Sequence, residues 1–141
     1  MSFPNPQSTD RCPCQSGETY GECCGPFHAG AAFAPTAERL MRSRYSAYVI
    51  GDADYLRETW HSSTRPASLE LDPDIRWFAL DIVARTKGGM LDTEGTVEYT
   101  ASFRVSASDG TADGKKSSRG EQRETSRFVR DGKRWVYLDG K

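Results

Sequence analysis

Residues 12–24, Cys12-Pro13-Cys14-Gln15-Ser16-Gly17-Glu18-Thr19-Tyr20-Gly21-Glu22-Cys23-Cys24, contain all four cysteines of the 141-residue chain. Such close spacing leaves three interpretations: two disulfides, redox-active thiols or a metal site. Adjacent Cys23 and Cys24 cannot easily bridge each other, because a disulfide requires a particular Cα separation and dihedral angle. The C-x-C and C-C spacings also differ from the C-x-x-C pattern of redox proteins. We therefore favour a tetrahedral zinc site with four thiolate ligands, Cys12, Cys14, Cys23 and Cys24.

The residues between the cysteines suit such a site. Pro13 stiffens the arm that carries the first pair, and Gly17 allows the chain to turn back sharply. A segment this short has no hydrophobic core, so metal binding would supply its folding energy, on the order of 10 kcal/mol. Four thiolates leave no open coordination position for water or substrate. We therefore predict a structural zinc ion rather than a catalytic one.

The pattern C-P-C-x-S-G-x-x-Y-x-x-C-C resembles the SEC-C zinc knuckle, which is named for the carboxyl terminus of the SecA translocase. The last ligand of that family is often His, and here Cys24 takes its position. Gln15 stands where the family usually has Gly, and Glu18 and Glu22 stand where it usually has Lys. Those lysines belong to the face that meets acidic partners or lipid. The two glutamates therefore change that face and leave the metal ligands intact.

Further segments resemble the YchJ family of bacterial proteins. The resemblance lies in the segments CGPFH (24–28), LMRSRY (40–45), DADYL (52–56), TWH (59–61) and WVYLDG (135–140). It implies a SEC-C knuckle followed by a domain similar to nuclear transport factor 2, a cone of helices over a curved sheet. Many members carry a second knuckle after the terminal Asp-Gly, which we do not expect here because only Lys141 follows.

This resemblance implies three parts of the chain. We expect an N-terminal arm with the knuckle over residues 1–26, a linker over 27–35 and the cone domain over 36–141. At this length the chain has room for one ordinary hydrophobic core. The knuckle is therefore expected to be an appendage, and the fold of the cone is expected not to depend on it.

The charge and composition of the chain argue against several partners. The chain has 19 basic and 20 acidic residues, so no net field favours nucleic acid or an anionic membrane. No apolar run approaches the ~20 residues that a membrane-spanning helix needs. Residues 1–10 have neither the basic head nor the apolar core of a signal peptide. We therefore expect a cytoplasmic protein with reduced thiols.

Two helices are predicted after the linker. Thr36 is a suitable N-cap, and one helical face would then carry Ala37, Leu40, Met41, Arg44, Tyr45 and Tyr48. Gly51 would end this helix, and Asp52 would cap a second one that turns Trp60 toward the core. Arg44 is the only charge on the first face. It requires an ion-pair partner or a polar cavity, because burying an unpaired charge is very costly.

The remainder of the chain reads as antiparallel sheet. Residues 75–86 are rich in apolar and aromatic side chains, and residues 96–105 alternate between polar and apolar ones. Asp131-Gly132 predicts a tight hairpin between strands 121–130 and 133–138. Residues 107–120 read as a polar hairpin tip. Helices followed by such a meander predict the α+β class, which agrees with the cone that the resemblance implies.

We consider three functions. The leading hypothesis is a zinc-bearing protein-interaction module that is not an enzyme, in which the knuckle docks a partner and the cone supplies a second surface or a homodimer face. The alternative is a small-molecule-binding or enzymatic cone, similar to a hydratase, isomerase or hydrolase, with pocket residues Arg44, Tyr48, Trp60 and His61. The third is a nucleic-acid-binding knuckle, against which its acidic side chains argue. The fold alone does not choose among them.

Overall fold

A computed structural model describes residues 3–107 and 116–141. Within them a 3₁₀ turn, Tyr20–Glu22, is followed by three helices and then by four strands. The elements are α1 Gly25–His28, α2 Ala37–Ile50, α3 Ala53–Glu58, β1 Ile75–Lys87, β2 Glu94–Ala107, β3 Lys116–Asp131 and β4 Arg134–Gly140. The helices therefore precede an antiparallel sheet, and the predicted α+β class is confirmed.

Local capping determines where α2 and α3 begin and end. The side chain of Thr36 accepts a hydrogen bond from Arg39 N at 3.1 Å, so the predicted N-cap of α2 is confirmed. Gly51 ends that helix with a φ of 76°, and a Cβ there would also collide with the ring of Phe3. Asp52 caps α3 by accepting from Tyr55 N at 3.0 Å. These three predictions succeeded because they depend on neighbouring residues alone.

The four strands form one antiparallel sheet in chain order, β1-β2-β3-β4. The predicted hairpin at Asp131-Gly132 is confirmed, with Gly132 at a φ of 67°. The predicted tip over residues 107–120 is wrong at its ends, because Lys116 already pairs with Ala107. Residues 108–115 of that tip lie outside the described residues. Strand β2 offers residues 116–120 a continuous backbone ladder, and pairing with a ladder does not require an apolar pattern.

One face of the sheet packs against the helices to form the core. Val97, Ala101 and Phe128 from the sheet and Leu40 and Leu56 from the helices are all buried there. Burial of such side chains is the main source of folding free energy, about 1.5–3 kcal/mol for each large one. No helix in the described part of the chain is long and apolar enough to cross a membrane.

The knuckle belongs to this core rather than standing beside it. All four cysteines are buried in the same cluster as the core residues of α2. Ser46 on α2 brings its hydroxyl oxygen to 3.6 Å from Cys12 Sγ and 3.4 Å from Cys24 Sγ. The small side chain of Ser46 allows this close approach. This packing is closer than an appendage suggests, and nothing in residues 12–24 alone indicates it. The expectation that the cone folds independently of the knuckle concerns stability and stays a prediction.

Candidate metal centre and cone cavity

The knuckle is a short loop closed by backbone hydrogen bonds. Cys12 N donates to Glu18 O at 2.9 Å, and Tyr20 N donates to Asp10 O at 2.7 Å. The chain reverses through Gln15 and Gly17, which have φ values of 64° and 94°. The 3₁₀ turn Tyr20–Glu22 then carries the second pair of cysteines back to the first. The sharp reversal at Gly17 agrees with the turn that the sequence indicates.

The four thiols meet at one point inside this loop. The Sγ atoms of Cys12, Cys14, Cys23 and Cys24 all lie within 4.8 Å of one another, and all four residues are buried. Cys14 Sγ lies 3.6 Å from Cys23 Sγ, and Cys23 Sγ lies 3.9 Å from Cys24 Sγ. The four residues carry free thiols, with no disulfide between them. This arrangement could hold a metal ion.

The thiols of the cluster differ in how easily they ionise. The pKa of Cys14 lies well below its usual range, because hydrogen bonds from Cys12 and Cys24 stabilise its thiolate. Burial raises the pKa of Cys23 to about 11, and the hydrogen bonds that Cys24 makes with Cys12 and Cys14 raise the pKa of Cys24. A cation at the centre would favour the thiolate form of every ligand. The donor set therefore fits a thiophilic metal.

Two side chains fasten this cluster to the helices. Arg42 of α2 donates from NH1 to Cys14 O at 2.9 Å and pairs with Glu38 at 3.0 Å. His28 joins Tyr20 Oη, 2.6 Å from its Nδ1, to Ser43 O, 2.8 Å from its Nε2. His28 is thus engaged at both ring nitrogens and does not belong to the cysteine cluster.

Gln15 attaches the tip of the knuckle to the sheet. Its side-chain Nε2 donates to Phe78 O at 2.6 Å, and its Oε1 accepts from Leu80 N at 3.3 Å. The amide therefore bonds to the outer edge of β1 in the way that a neighbouring strand would. Periodicity could not reveal this contact, because it joins residues that lie far apart in the sequence.

A cavity of about 120 Å³, which we call the cone cavity, lies between α2 and the sheet. Ring side chains form most of its wall, namely those of Tyr45, Tyr48, Trp60, Trp77, Tyr99, Phe128 and Tyr137. Its polar lining consists of Arg44, Gln122, Glu124 and Ser126. Three of the four pocket residues proposed from the sequence, Arg44, Tyr48 and Trp60, thus line one cavity.

His61 lies outside the cone cavity. Its backbone N donates to Tyr137 O at 2.7 Å, and its Nδ1 lies 2.7 Å from Ser63 Oγ. Trp60 forms a parallel bridge with Tyr137, and consecutive residues of an extended segment point to opposite sides. The ring of Trp60 therefore points inward, and that of His61 does not line the cavity.

Arg44 is a buried cation whose direct partners among the described residues are uncharged. Its NH1 donates to Leu56 O and to Thr59 Oγ1, both at 2.7 Å. Its guanidinium carbon lies 5.1 Å from the ring centroid of Trp60 and 4.7 Å from that of Tyr137. Burial lowers the pKa of Arg44 below its usual value. Among the described residues no carboxylate forms an ion pair with it.

Glu124 is the acidic residue of the cavity that sequence reasoning missed. Its Oε2 accepts from Tyr99 Oη at 3.2 Å and from Ser126 Oγ at 2.5 Å. A signal for it existed, because residues 122, 124, 126 and 128 share one face of a strand, and Phe128 is an evident core residue. Alternation along residues 121–130 would therefore have placed Glu124 inside.

Comparison with known proteins agrees with this architecture. Residues 9–26 match the SEC-C motif, and residues 36–140 match the model of "YchJ, middle NTF2-like domain". A UPF0225 protein of Streptomyces coelicolor is 49% identical over 132 residues, which is 94% of this chain and 95% of the relative. A UPF0225 protein of Ralstonia nicotianae is 46% identical over 151 residues, 99% of this chain and 96% of the relative.

Solved structures give the same fold. The solution structure of a SEC-C motif containing protein from Rhodopseudomonas palustris is similar with a TM-score of 0.72 and 32% identity, covering 92% of this chain and 96% of that one. The crystal structure of a SEC-C motif containing protein from Psychrobacter arcticus has a TM-score of 0.68 and 30% identity, covering 94% and 82%. The predicted cone and both resemblances are thereby confirmed. The chain therefore belongs to the UPF0225 family, with a SEC-C motif before a YchJ-type NTF2-like domain.

Proposed function

We propose that the protein is a cytoplasmic protein-interaction module whose knuckle holds one structural zinc ion. The observation that carries this proposal is the closed and buried cluster of four thiols, in a knuckle that packs against α2 and is bound through Gln15 to the edge of β1. A reducing compartment would keep these thiols free for the metal.

Zinc suits the distances between the thiols. A tetrahedral ion with Zn–S bonds of about 2.3 Å has sulfur–sulfur edges of about 3.8 Å. The Cys14–Cys23 and Cys23–Cys24 pairs lie at 3.6 and 3.9 Å, close to that edge. Four thiolates also complete the coordination of the ion, so its role would be to hold structure rather than to activate water.

The metal would hold a surface in place. Packing of the knuckle against α2 would keep the Gln15 side chain on the edge of β1, at Phe78 and Leu80. Beyond Leu80 along this strand lies a shallow groove. This knuckle–β1 groove is lined by Glu38, Arg42, Ile82, Val83, Ala84 and Arg85. Val83 is 45% exposed in it, an apolar side chain between charged walls.

An extended peptide is the partner that this surface suits. Strand β1 is an edge of the sheet, so its outer side offers backbone groups for one more strand. Val83 would contact an apolar side chain of the peptide, and the Glu38–Arg42–Arg85 cluster would select the charges beside it. The knuckle would define one end of the groove.

The zinc part of the proposal is tested by elemental analysis of the purified chain together with a count of reactive thiols. One zinc per chain, with thiols that react only after chelation, is the expected result. A chain that is folded and contains no zinc, with freely reactive cysteines, would contradict the structural metal. Cobalt substitution would add a second readout, because thiolate-bound Co²⁺ in tetrahedral geometry has its own absorption bands.

The partner is tested by placing a photo-crosslinking residue at Val83 in cells. Leu91 is the matched control, since it is apolar, 99% exposed and in the loop between β1 and β2. A defined product at position 83 that is absent at position 91, and is lost with Cys14→Ser, is expected. A product with twice the mass of the chain would identify a second copy as the partner. Equal products at both positions would refute docking at the groove.

A further inference from the structure

The cone cavity contains hydrogen-bond donors that the protein itself does not satisfy. Trp60 Nε1 and Tyr45 Oη are buried and have no hydrogen-bond partner among the described residues, and both side chains line the cavity. Arg44 is only 6% exposed, and of its guanidinium nitrogens only NH1 donates to the described protein atoms. Buried donors without partners are rare, because a donor that loses its hydrogen bonds to water and gains none in return destabilises the fold. The guanidinium nitrogens of Arg44 that have no partner among the described atoms therefore indicate that an acceptor binds in the cavity.

The acceptor that completes this site is an anion. Among the described residues, the direct partners of Arg44 are a carbonyl, a hydroxyl and two rings, and a planar guanidinium is suited to two parallel hydrogen bonds with a carboxylate. A single negative charge is favoured over two, because Glu124 already places a carboxylate in the cavity.

The size and lining of the cavity indicate what the rest of the ligand is like. Ring side chains surround a volume of about 120 Å³, similar to the roughly 150 Å³ apolar cavity known to hold benzene. Tyr48, Trp77 and Tyr99 offer faces and edges suited to a flat or short apolar body. A phosphorylated or strongly hydrated ligand would lose more hydrogen bonds to water than these ring-lined walls could replace.

We propose that the cone cavity binds a small monocarboxylic acid, with its carboxylate on Arg44 and its apolar body between the rings of Tyr48, Trp60 and Tyr99. Arg44 supplies the charge and the hydrogen-bond donors, and the surrounding rings exclude water from them. This site is separate from the metal centre, and the inference does not depend on the zinc or on a protein partner.

The test uses benzoate as the probe and benzamide as its uncharged counterpart, both titrated into the full zinc-loaded chain and followed by NMR chemical shifts. We expect benzoate to bind at least about tenfold more tightly than benzamide, because the charged hydrogen bonds to Arg44 are lost with the amide. Shifted resonances should include the indole N–H of Trp60. Inorganic phosphate should compete weakly or not at all.

Three variants make the test specific. Arg44→Met should abolish the preference for benzoate, whereas Glu124→Gln should tighten benzoate binding severalfold by removing the repelling charge. Arg127→Met is the matched control and should change neither affinity, since Arg127 pairs with Asp139 on the exposed face. If Arg44→Met does not fold, Glu124→Gln still decides the question.

Two results would overturn the proposal. The first is that benzoate and benzamide bind alike, or that neither binds at about 10 mM, which corresponds to a very weak site. The second is that Glu124→Gln leaves the affinity for benzoate unchanged or weakens it. Either outcome leaves the zinc and partner proposals standing, because neither uses the cone cavity.

Discussion

Replacement of Gln15 tests whether its side chain fastens the knuckle to the sheet. Gln15→Ala removes two hydrogen bonds, to Phe78 O and from Leu80 N, and leaves the backbone at its φ of 64°. Gln15→Gly removes the same two bonds, but glycine adopts this φ without strain. The two variants therefore separate the effect of the contact from that of the backbone.

The expected magnitudes follow from these contacts. Each hydrogen bond contributes a net of about 0.5–1.5 kcal/mol, and the lower half of that range applies because Gln15 is exposed. Gln15→Ala should therefore lower the free energy of unfolding by about 1–2 kcal/mol. Relief of the left-handed backbone returns about 1 kcal/mol, so Gln15→Gly should lie between Gln15→Ala and the unchanged chain.

The assay is urea unfolding of the zinc-loaded chain, followed by tryptophan fluorescence and by circular dichroism to check for a single transition. The difference for Gln15→Ala corresponds to a melting-temperature decrease of roughly 3–8 °C. Gln7→Ala serves as the control, because Gln7 is exposed in the N-terminal arm and should change stability by less than about 0.5 kcal/mol.

Two results would refute this reasoning. If Gln15→Ala matches Gln7→Ala, the side-chain amide does not stabilise the docked knuckle. If Gln15→Gly and Gln15→Ala are equal, the positive φ carries no energetic cost, and the account of the turn must change.

Two further predictions concern the knuckle. Cys14→Ser should prevent zinc binding and destabilise α2 as well as the knuckle, because Cys12 and Cys24 contact Ser46 of that helix. Hydrogen exchange should then show that the amides of α2 lose protection together with residues 12–24. Full protection of α2 in this variant would contradict the shared core. Burial lowers the pKa of His28 below 6.5, so His28 binds a proton more readily in the unfolded chain than in the folded one. The free energy of unfolding should therefore fall as the pH drops below about 6.5. His28→Gln should reduce this dependence on pH, measured as the urea midpoint at values from pH 7.5 to 5.5.

Predictions from the sequence succeeded wherever the cause was local. Thr36, Gly51 and Asp52 act on residues within one helical turn, so their roles as caps could be predicted. The clustering of four cysteines within one short loop is equally local, and the structure brings their sulfur atoms together. Arg44 was recognisable as a cavity candidate because it interrupts an apolar face.

Contacts between distant segments could not be predicted in the same way. Nothing near Gln15 reveals that its amide reaches β1, and nothing near Ser46 reveals that two cysteines approach it. Glu124 is a different case, because strand alternation would have turned it inward. The alternation over residues 121–130 is a weak signal, because polar side chains interrupt its apolar pattern.

Helix α2 contributes residues both to the surroundings of the candidate metal centre and to the lining of the cone cavity. Ser46 and Arg42 contact the knuckle, while Arg44 and Tyr48 on the same helix line the cavity. Thermodynamic linkage makes any effect between two such sites reciprocal. If a ligand in the cavity stabilises α2 and thereby raises the affinity for the metal, the metal raises the affinity for that ligand by the same factor.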